Sequence, residues 1–520
     1  MSKHSIIKGT LILTIAGFIT RIIGFFYRII LSNALGARNM GVYQLIFPVY
    51  GICFTLFASG IQTSISRLVA AQTGIYGEGH NHNITRILRT GLFCSLAIAI
   101  SLSGLVYCFG DFIAARLLAE PSCAASLKLL SLAFPFCGVT SCINGYYYGL
   151  KKTTVPASTQ LIEQLTRVFF VLAITYFAGN GDTAITCEIA VLGLVMGELT
   201  SCGFNTLSII RERQRHYKMK MTDLATIERE RRVTKLPRIL RDLLKQAVPL
   251  TSNRLLLSVL NSIESVLIPI MLRQSGLSTN EALSIYGILI GMSVPFILFP
   301  SAIPNSFSVL LLPAISEAQA KKNSEMIGRT TAISIKYCLL IGVLSTGFFV
   351  TFGKSLGMIV YHNTMAGEFI VSLAWLCPFL YLTTTLSSII NGLGKAQITF
   401  LNSVIGVVIR ILVVIFVIPR YGIYGYLTGN LISQICITIL DYSAICRHIH
   451  FKTHFVDWLI KPGIMVALLG FISYLIFERL IAGSFIHPGL ILLICAIGFC
   501  SIYLLILKIT GIFSTKELKA

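Results

Sequence analysis

Five arginines lie well inside long apolar segments of this chain, where a charge is costly to place. They are Arg21, Arg28, Arg167, Arg254 and Arg410. On insertion scales a charged side chain at the centre of a bilayer costs roughly 2.5–3.5 kcal/mol, so such residues usually face a hydrated cavity or a partner. Because a guanidinium is permanently charged and binds phosphate oxygens in pairs, these arginines predict a site for an anion within the membrane.

Three of these arginines stand on polar faces of predicted helices. Arg21 and Arg28, in the first apolar segment, share one face at helical spacing with small and polar residues. These neighbours are Thr10, Thr14, Gly17 and Gly24. In the seventh segment, the residues that share a face with Arg254 are Ser258, Asn261 and Ser265. Both faces are typical of a cavity wall. Because Arg28 lies near the predicted outer end of its segment, its alternative is to extend to the membrane surface.

The second half of the chain repeats the first at a displacement of about 243 residues, the difference between Pro135 and Pro378. The other pairs that coincide without a gap are Phe136 with Phe379, Thr140 with Thr383, Gly149 with Gly392, Leu150 with Leu393, Lys152 with Lys395 and Arg167 with Arg410. Parallel repeats of this kind favour a transporter that rocks one half against the other around a site at their interface.

Three carboxylates inside the segments are candidates for coupling or gating: Glu163, Glu198 and Glu264. Glu163 stands four residues before Arg167, so these two side chains can pair along one helix. Glu264 aligns with Arg21 under the repeat, and a pairing between them would latch the two halves in one state. Further charged residues inside the segments are Lys336 and Asp441. The arginines outnumber the three glutamates, which favours an anionic cargo, whereas a cation exporter needs the reverse balance.

The elements that carry these residues are predicted to be membrane-spanning helices. The chain is 55% hydrophobic and only 12% charged, with a mean hydropathy of +0.80, so we predict an all-α integral membrane protein. About fourteen segments are long enough to span a bilayer. They lie near 8–31, 42–66, 87–109, 125–150, 155–178, 184–210, 247–273, 283–312, 329–352, 367–392, 397–418, 423–446, 459–481 and 488–508.

These segments divide the chain into four predicted parts. Two lobes of six helices each, residues 1–210 and 247–446, are expected to surround a central cavity. A basic cytoplasmic linker, residues 211–246, joins the lobes and is predicted to contain an amphipathic helix on anionic lipids of the inner leaflet. Residues 447–520 hold the last two spans and a short cytoplasmic tail.

The formal net charge of +21 reflects membrane topology. Lysine and arginine collect in the loops on one side of the predicted spans, which places both termini in the cytoplasm of a multi-pass plasma-membrane protein. The basic linker lacks the aromatic stacking positions of a nucleic-acid site, so we expect no nucleic-acid partner. No pattern indicates a metal site or a cofactor.

The opening of the chain resembles a known family. The matching residues are the run 8–28, the pair Leu35 and Gly36, the run 41–43 and the run 66–70. They are similar to sporulation members of the polysaccharide-biosynthesis branch of the multidrug/oligosaccharidyl-lipid/polysaccharide exporter superfamily. The pattern Thr-Arg-x-x-Gly-Phe from Thr20 to Phe25 also resembles a segment of the bacterial lipid II flippases. Those proteins carry a further arginine where this chain has Tyr27, with Arg28 next to it.

The resemblance implies a flippase that exports a lipid-linked oligosaccharide. The implied cargo is a polyprenyl-diphosphate-linked cell-wall precursor similar to lipid II, for spore cortex peptidoglycan or another wall polymer, moved across the plasma membrane by alternating access. Cell-wall synthesis enzymes are implied as partners. Arg21 is the residue of this chain that matches a cavity arginine of the flippases by position.

Two other functions remain open from the sequence. A multidrug or small-cation antiporter of the same superfamily would depend on one protonatable carboxylate, with Glu264 and Glu198 as candidates. A membrane glycosyltransferase would need a catalytic acid in an outside loop, where the longest loops offer only Asp111 and Glu120. A scramblase without ion coupling is a variant of the flippase hypothesis.

Overall fold

The computed structural model describes residues 3–76, 82–178, 185–222, 236–449, 451, 453–483 and 487–512, and every regular element in these ranges is helical. Long apolar helices satisfy their own backbone polar groups, as a span through lipid requires. The helices of the first half are α1 (Lys3–Leu45), α2 (Phe47–Phe54), α3 (Gly60–Tyr76), α4 (His82–Cys108), α5 (Gly110–Phe112), α6 (Cys123–Ser131), α7 (Phe134–Gly149), α8 (Thr154–Ala178) and α9 (Cys187–Thr222).

The second half begins with a long helix that contains the end of the predicted linker. Its helices are α10 (Leu236–Gln274), α11 (Thr279–Tyr286), α12 (Val294–Leu298), α13 (Ala302–Ala320), α14 (Ser324–Tyr361), α15 (Thr364–Ala374), α16 (Cys377–Gly392), α17 (Ala396–Phe416), α18 (Ile418–Cys446), α19 (Lys461–Gly483) and α20 (Pro488–Ile509). Wider π-helical turns occur at Thr55–Ser59, Ile113–Leu117, Gly287–Ser293 and Val456–Ile460.

The described residues contain ten helical runs long and apolar enough to cross a membrane, or twelve if two bent helix pairs each count as one span. The predicted number of about fourteen differs at two places. One continuous run, Ile12–Gly74, covers the predicted spans 8–31 and 42–66. The other difference is α8, which coincides with the predicted span 155–178 but is not among the twelve.

Backbone chemistry explains where several helices bend or begin. Gly36 has φ 72° inside α1, a left-handed conformation that glycine adopts without steric cost and that breaks the helix. Pro135 and Pro378 stand in the first turns of α7 and α16, where a missing N–H costs nothing. Each of these helices follows a shorter one across a bend, of 45° before α7 and 52° before α16. The bent pair of α6 and α7 and the bent pair of α15 and α16 are therefore structural copies of each other, as the sequence repeat predicts.

The chain forms two compact units, Met1–Val266 and Leu267–Ala520. In the first unit, α3, α4 and α7 pack around a core that includes Ile65, Ile87 and Tyr147. The start of α10 joins this core through Ile239 and Leu243. The last residues of the predicted linker and the seventh predicted span are thus one continuous helix, which begins against the first unit.

In the second unit, α13, α14, α16 and α18 share a core that includes Ile335, Leu386 and Ile445. The two C-terminal helices pack on α14. The Tyr503 hydroxyl donates to the Leu340 oxygen at 3.2 Å, and the Phe352 ring contacts the rings of Phe477 and Phe499. Aromatic packing therefore joins α19 and α20 to the rest of this unit.

Candidate functional site

The polar face of α1 lies partly against α8. A Cβ atom on Gly24 would lie 3.4 Å from the Gln164 amide nitrogen, so this glycine allows the two helices to approach. Arg21, one turn earlier on the same face, has an exposed side chain. Within the described residues no hydrogen bond or ion pair joins Arg21 to another side chain. Its guanidinium therefore carries an uncompensated positive charge on α1.

Arg28 lies two turns further along α1 and is half-buried. It is within electrostatic range of Tyr43, and the part of the chain that the structure describes provides no carboxylate partner for it. Tyr43 and Tyr27 also lie within electrostatic range of Arg167 on α8. Tyr43 is thus within electrostatic range of one arginine on each of the two helices.

Arg254 on α10 binds the segment that joins α2 to α3. Its Nη1 donates to the Ser59 main-chain oxygen at 2.8 Å and to the Thr63 hydroxyl at 3.3 Å. Ser59 ends a π-helical turn, a distortion of the helix that often marks a functional position. Both acceptors are neutral, so this arginine too keeps its net charge.

Small residues bring α10 and this segment into close contact. A Cβ atom on Gly60 would lie 1.9 Å from the Thr251 hydroxyl oxygen and 3.0 Å from the Ala247 main-chain oxygen. Further along, the Ser262 hydroxyl donates to the Pro48 oxygen at 3.0 Å. The contact therefore extends along α10 from Ala247 to Ser262, and no larger side chain fits at Gly60.

The arginine of α8 differs from Arg21, Arg28 and Arg254 because it forms an ion pair. Arg167 Nη2 donates to Glu163 Oε1 at 2.6 Å, as the spacing of four residues predicts, and both side chains are partly buried. Glu198 on α9 is only 6% exposed and lies within electrostatic range of both partners. Its carboxylate accepts a hydrogen bond from the Tyr50 hydroxyl at 3.5 Å. Two carboxyl groups and one guanidinium thus form a buried cluster.

The remaining predicted residues lie on α10 and α17. Asn261 is exposed and donates to the Leu257 oxygen of its own helix at 2.8 Å. Glu264, one turn later, is 6% exposed. Arg410 belongs to the second unit and is half-buried on α17.

Comparison with known proteins identifies the family. The model of a family described as polysaccharide biosynthesis protein matches residues 6–319, which is more than half of the chain. This chain belongs to the polysaccharide biosynthesis protein family. The branch expected from the opening residues is confirmed.

Two curated relatives align with most or all of this chain. Stage V sporulation protein B of Bacillus subtilis (strain 168) is 24% identical over 521 residues, which cover 100% of this chain and 98% of the relative. The lipid II flippase MurJ of the same organism is 20% identical over 471 residues, which cover 86% of this chain and 83% of the relative.

Solved structures show the same fold. A structure of the lipid II flippase MurJ in an inward closed conformation has a TM-score of 0.66 at 16% identity and covers 95% of this chain and 98% of its own. An inward-facing multidrug resistance MATE family transporter of the MOP superfamily has a TM-score of 0.62 at 13% identity, with 82% and 95% covered. The predicted all-α integral membrane fold is confirmed, and the chain is a multi-pass membrane protein with the fold of these transporters.

Within this fold, sequence reasoning missed residues that have no charge to mark them. Tyr50 approaches Glu198, and its hydroxyl lies 3.3 Å from the Cys137 sulfur. Thr159 and Asn205 form a second buried polar contact, with the Thr159 hydroxyl 2.8 Å from Asn205 Oδ1. The only sequence feature that marks these residues is a polar side chain inside an apolar segment.

Proposed function

We propose that the protein is a flippase that moves a polyprenyl-diphosphate-linked cell-wall precursor across the plasma membrane by alternating access. One observation carries the proposal. The guanidinium groups of Arg21, Arg28 and Arg254 have no carboxylate partner among the described residues, whereas Arg167 is paired with Glu163. Because three arginines without a carboxylate partner are costly inside a membrane, an anion that binds them lowers the free energy of the protein.

A diphosphate fits this requirement better than a carboxylate or a chloride ion. Guanidinium groups bind phosphate oxygens in pairs and stay charged at every physiological pH. The proposed binding residues are Arg21, Arg28, Arg254, Arg410 and Asn261. Arg167 is added with the part of its guanidinium that Glu163 does not bind. The polyprenyl tail stays in lipid while the charged headgroup crosses, and the arginines lower the free energy of the headgroup inside the membrane.

Arg254 links cargo binding to helix movement in this mechanism. Its guanidinium donates to the neutral oxygens of Ser59 and Thr63, and a charged phosphate oxygen is a stronger acceptor than either. Cargo binding therefore competes with the contact between α10 and the α2–α3 segment. Release of that contact is the proposed first step of the change in access.

The carboxylates have a different proposed role. Glu163 and Glu198 share the charge of Arg167 in the first unit, and Glu264 is buried on α10. Anionic groups that repel a diphosphate do not bind this cargo, so we assign them to coupling or gating. Movement of a lipid across the membrane makes and breaks no covalent bond, so we propose a transporter and not an enzyme.

Biological context comes from the relatives. The name of stage V sporulation protein B supports sporulation, and that of lipid II flippase MurJ supports a lipid II-like cargo. We propose spore cortex peptidoglycan synthesis as the process, with cell-wall synthesis enzymes as partners.

Both termini are assigned to the cytoplasm. The proposed domains are the lobes 1–210 and 247–446, the linker 211–246 and the C-terminal part 447–520.

The basic linker ends in a helix suited to anionic lipid. Ile239 and Leu243 are buried at the start of α10, while Arg238, Arg241 and Lys245 are exposed around them. Exposed Leu240 and Leu244 continue along another face. Cationic and apolar side chains together on an exposed helix favour the headgroup region of an anionic leaflet.

The deciding experiment measures transbilayer movement of fluorescent lipid II in proteoliposomes. We expect movement by the wild-type protein, loss in Arg21→Ala, and movement largely retained in Glu264→Gln. Arg329→Ala is the matched control, because Arg329 is an exposed arginine on α14 outside the proposed site. If the wild-type protein moves neither lipid II nor another polyprenyl-linked sugar, and Glu264→Gln abolishes export of an organic cation, the antiporter function replaces this proposal.

A further inference from the structure

A buried carboxylate in the second unit connects three helices. Asp441 on α18 is 1% exposed. Its Oδ1 accepts a hydrogen bond from Asn402 Nδ2 on α17 at 2.7 Å, and its Oδ2 accepts one from the Ser387 hydroxyl on α16 at 3.1 Å. We call Asp441, Asn402 and Ser387 the carboxylate triad.

The first unit contains a neutral counterpart of this triad. Asn144 and Thr159 lie 243 residues before Ser387 and Asn402, and they contact Asn205 on α9, the helix that precedes the linker. The Thr159 hydroxyl lies 2.8 Å from Asn205 Oδ1, and Asn205 Nδ2 donates to Asn144 Oδ1 at 3.4 Å. Each half therefore joins three corresponding helices through a buried polar contact. The residue 243 positions before Asp441 is Glu198, which contacts Tyr50 instead, so only the second half has a carboxylate in this contact.

No cation compensates this carboxylate within the described residues, because Asp441 forms no ion pair there. Three helices pack against α18, and a fourth, α14, packs on α16. The titratable and charged groups of α15, α16 and α17 are Glu368, Cys377, Tyr381, Lys395 and Arg410. Those of α18 itself are Arg420, Tyr421, Tyr424, Tyr426, Cys436, Tyr442 and Cys446, and those of α14 are Glu325, Arg329, Lys336, Tyr337, Cys338, Lys354 and Tyr361.

Within the described residues, none of these groups forms a hydrogen bond or an ion pair with Asp441, whose partners are Asn402 and Ser387. The Tyr381 hydroxyl donates to the Ile297 oxygen, the Tyr424 hydroxyl donates to Glu368, and Tyr442 contacts Thr453. Arg410 stands eight residues beyond Asn402, about 12 Å along the helix axis at 1.5 Å per residue. The immediate surroundings of Asp441 are thus neutral hydrogen-bond donors.

A fully buried carboxylate without a cation is costly, and a bound proton removes the charge. The donor set also distinguishes a proton from a metal ion. Sodium would need several oxygen ligands, but the nearest group to Oδ1 is the amide N–H of Asn402, which repels a cation. On Oδ2, by contrast, a proton can be donated to the Ser387 oxygen without any rearrangement of heavy atoms.

We propose that the carboxylate triad binds and releases one proton in each transport cycle, which makes H⁺ the coupling ion. This inference rests on the proposed flippase function. Charged hydrogen bonds are roughly twice as strong as neutral ones, so protonation of Asp441 weakens the links from α18 to α16 and α17. Asp441 lies about one and a half turns before the end of α18 at Cys446, close to the predicted cytoplasmic surface and its water.

The first test uses an imposed gradient. Proteoliposomes prepared without sodium are given a pH gradient while movement of fluorescent lipid II is recorded. We expect a several-fold rate change in wild type and no response in Asp441→Asn, which copies the amide of Asn205. Glu281→Gln is the control, since Glu281 is exposed in the capping box of α11. A full response in Asp441→Asn overturns the proposal, as does a cargo rate that follows a sodium gradient instead and is lost in Asp441→Asn.

The second test does not depend on transport. Infrared difference spectra recorded on acidification are expected to contain a carboxylic C=O band that disappears in Asp441→Asn. In Ser387→Ala the band should move to higher frequency because the acid loses its hydrogen-bond acceptor. An unchanged spectrum in Asp441→Asn overturns the proton site. If wild type moves no lipid at all but the band behaves as expected, the flippase function fails and the proton site stands.

Discussion

The Nη1 atom of Arg254 donates to the main-chain oxygen of Ser59 at 2.8 Å, across 195 residues of sequence. This bond joins the seventh predicted span to the distorted turn inside the second. An arginine that the sequence assigns to cargo thus holds two helices together. Cargo binding and helix release compete for the same guanidinium.

Gly60 is the position where α10 and α3 tolerate no side chain. We expect Gly60→Ala to destabilise the protein by about 1–3 kcal/mol, the usual cost of overpacking, because the new Cβ would meet the Thr251 hydroxyl oxygen at 1.9 Å. Thermal unfolding in detergent measures the effect. Gly74→Ala, on the same helix with no atom within 4 Å of its Cβ position, should not lower the melting temperature, and equal losses in both variants would contradict the argument.

Gly51 and Ser258 provide a test of movement between α2 and α10. A Cβ atom on Gly51 would lie 3.5 Å from the Ser258 hydroxyl oxygen, so side chains at these two positions are in contact. In a background without native cysteines, Gly51→Cys with Ser258→Cys should cross-link on oxidation and stop lipid movement, and reduction should restore it. Continued movement by the cross-linked protein would show that these helices stay together throughout the cycle.

The Glu163–Arg167 pair should be coupled in stability. Removal of the cation in Arg167→Ala leaves Glu163 and Glu198 close together without compensation, so we expect a loss of about 1.5–3 kcal/mol, typical of a hydrogen bond between charged groups. The double variant Glu163→Gln with Arg167→Ala should lose less than the single Arg167→Ala variant. A double-mutant cycle of thermal stabilities measures this, and strictly additive effects would argue against the cluster.

Arg21→Lys separates charge from geometry in cargo binding. Lysine keeps the positive charge but loses the planar fork that binds two phosphate oxygens. We expect the cargo concentration for half-maximal movement to rise about tenfold, which corresponds to about 1.4 kcal/mol. Arg329→Lys should leave it unchanged. No difference between Arg21 and Lys at this position would mean that a point charge is sufficient.

Anionic lipid should bind at the start of α10. Replacement of Arg238, Arg241 and Lys245 by glutamine removes three exposed charges beside the buried Ile239 and Leu243. We expect fewer phosphatidylglycerol molecules to remain bound in native mass spectrometry, because each basic residue near the membrane surface contributes about 1 kcal/mol. The control is Lys321→Gln with Lys322→Gln at the exposed end of α13, and an equal loss there would point to nonspecific attraction.

Much of this protein follows from its sequence because the features are local or repetitive. Apolar segments about as long as a bilayer is thick must be helices. The displacement of about 243 residues is also found in the structure, since α16 begins and ends 243 residues after α7 does. The pairing of Glu163 with Arg167 follows from helix geometry, since residues four apart share a face. In each case the partners are neighbours along the chain or copies of one pattern.

Tertiary structure alone decided the contacts between residues distant in sequence. Glu198 reaches Tyr50 across 148 residues, Arg254 reaches Ser59 across 195, and Asp441 meets Asn402 and Ser387 on two other helices. Sequence placed each of these polar groups inside an apolar helix, but the direction that a helix face takes in a bundle depends on packing against its neighbours. Small residues such as Gly60 set how closely those neighbours approach, and only the folded chain shows which buried charge has a partner and which does not.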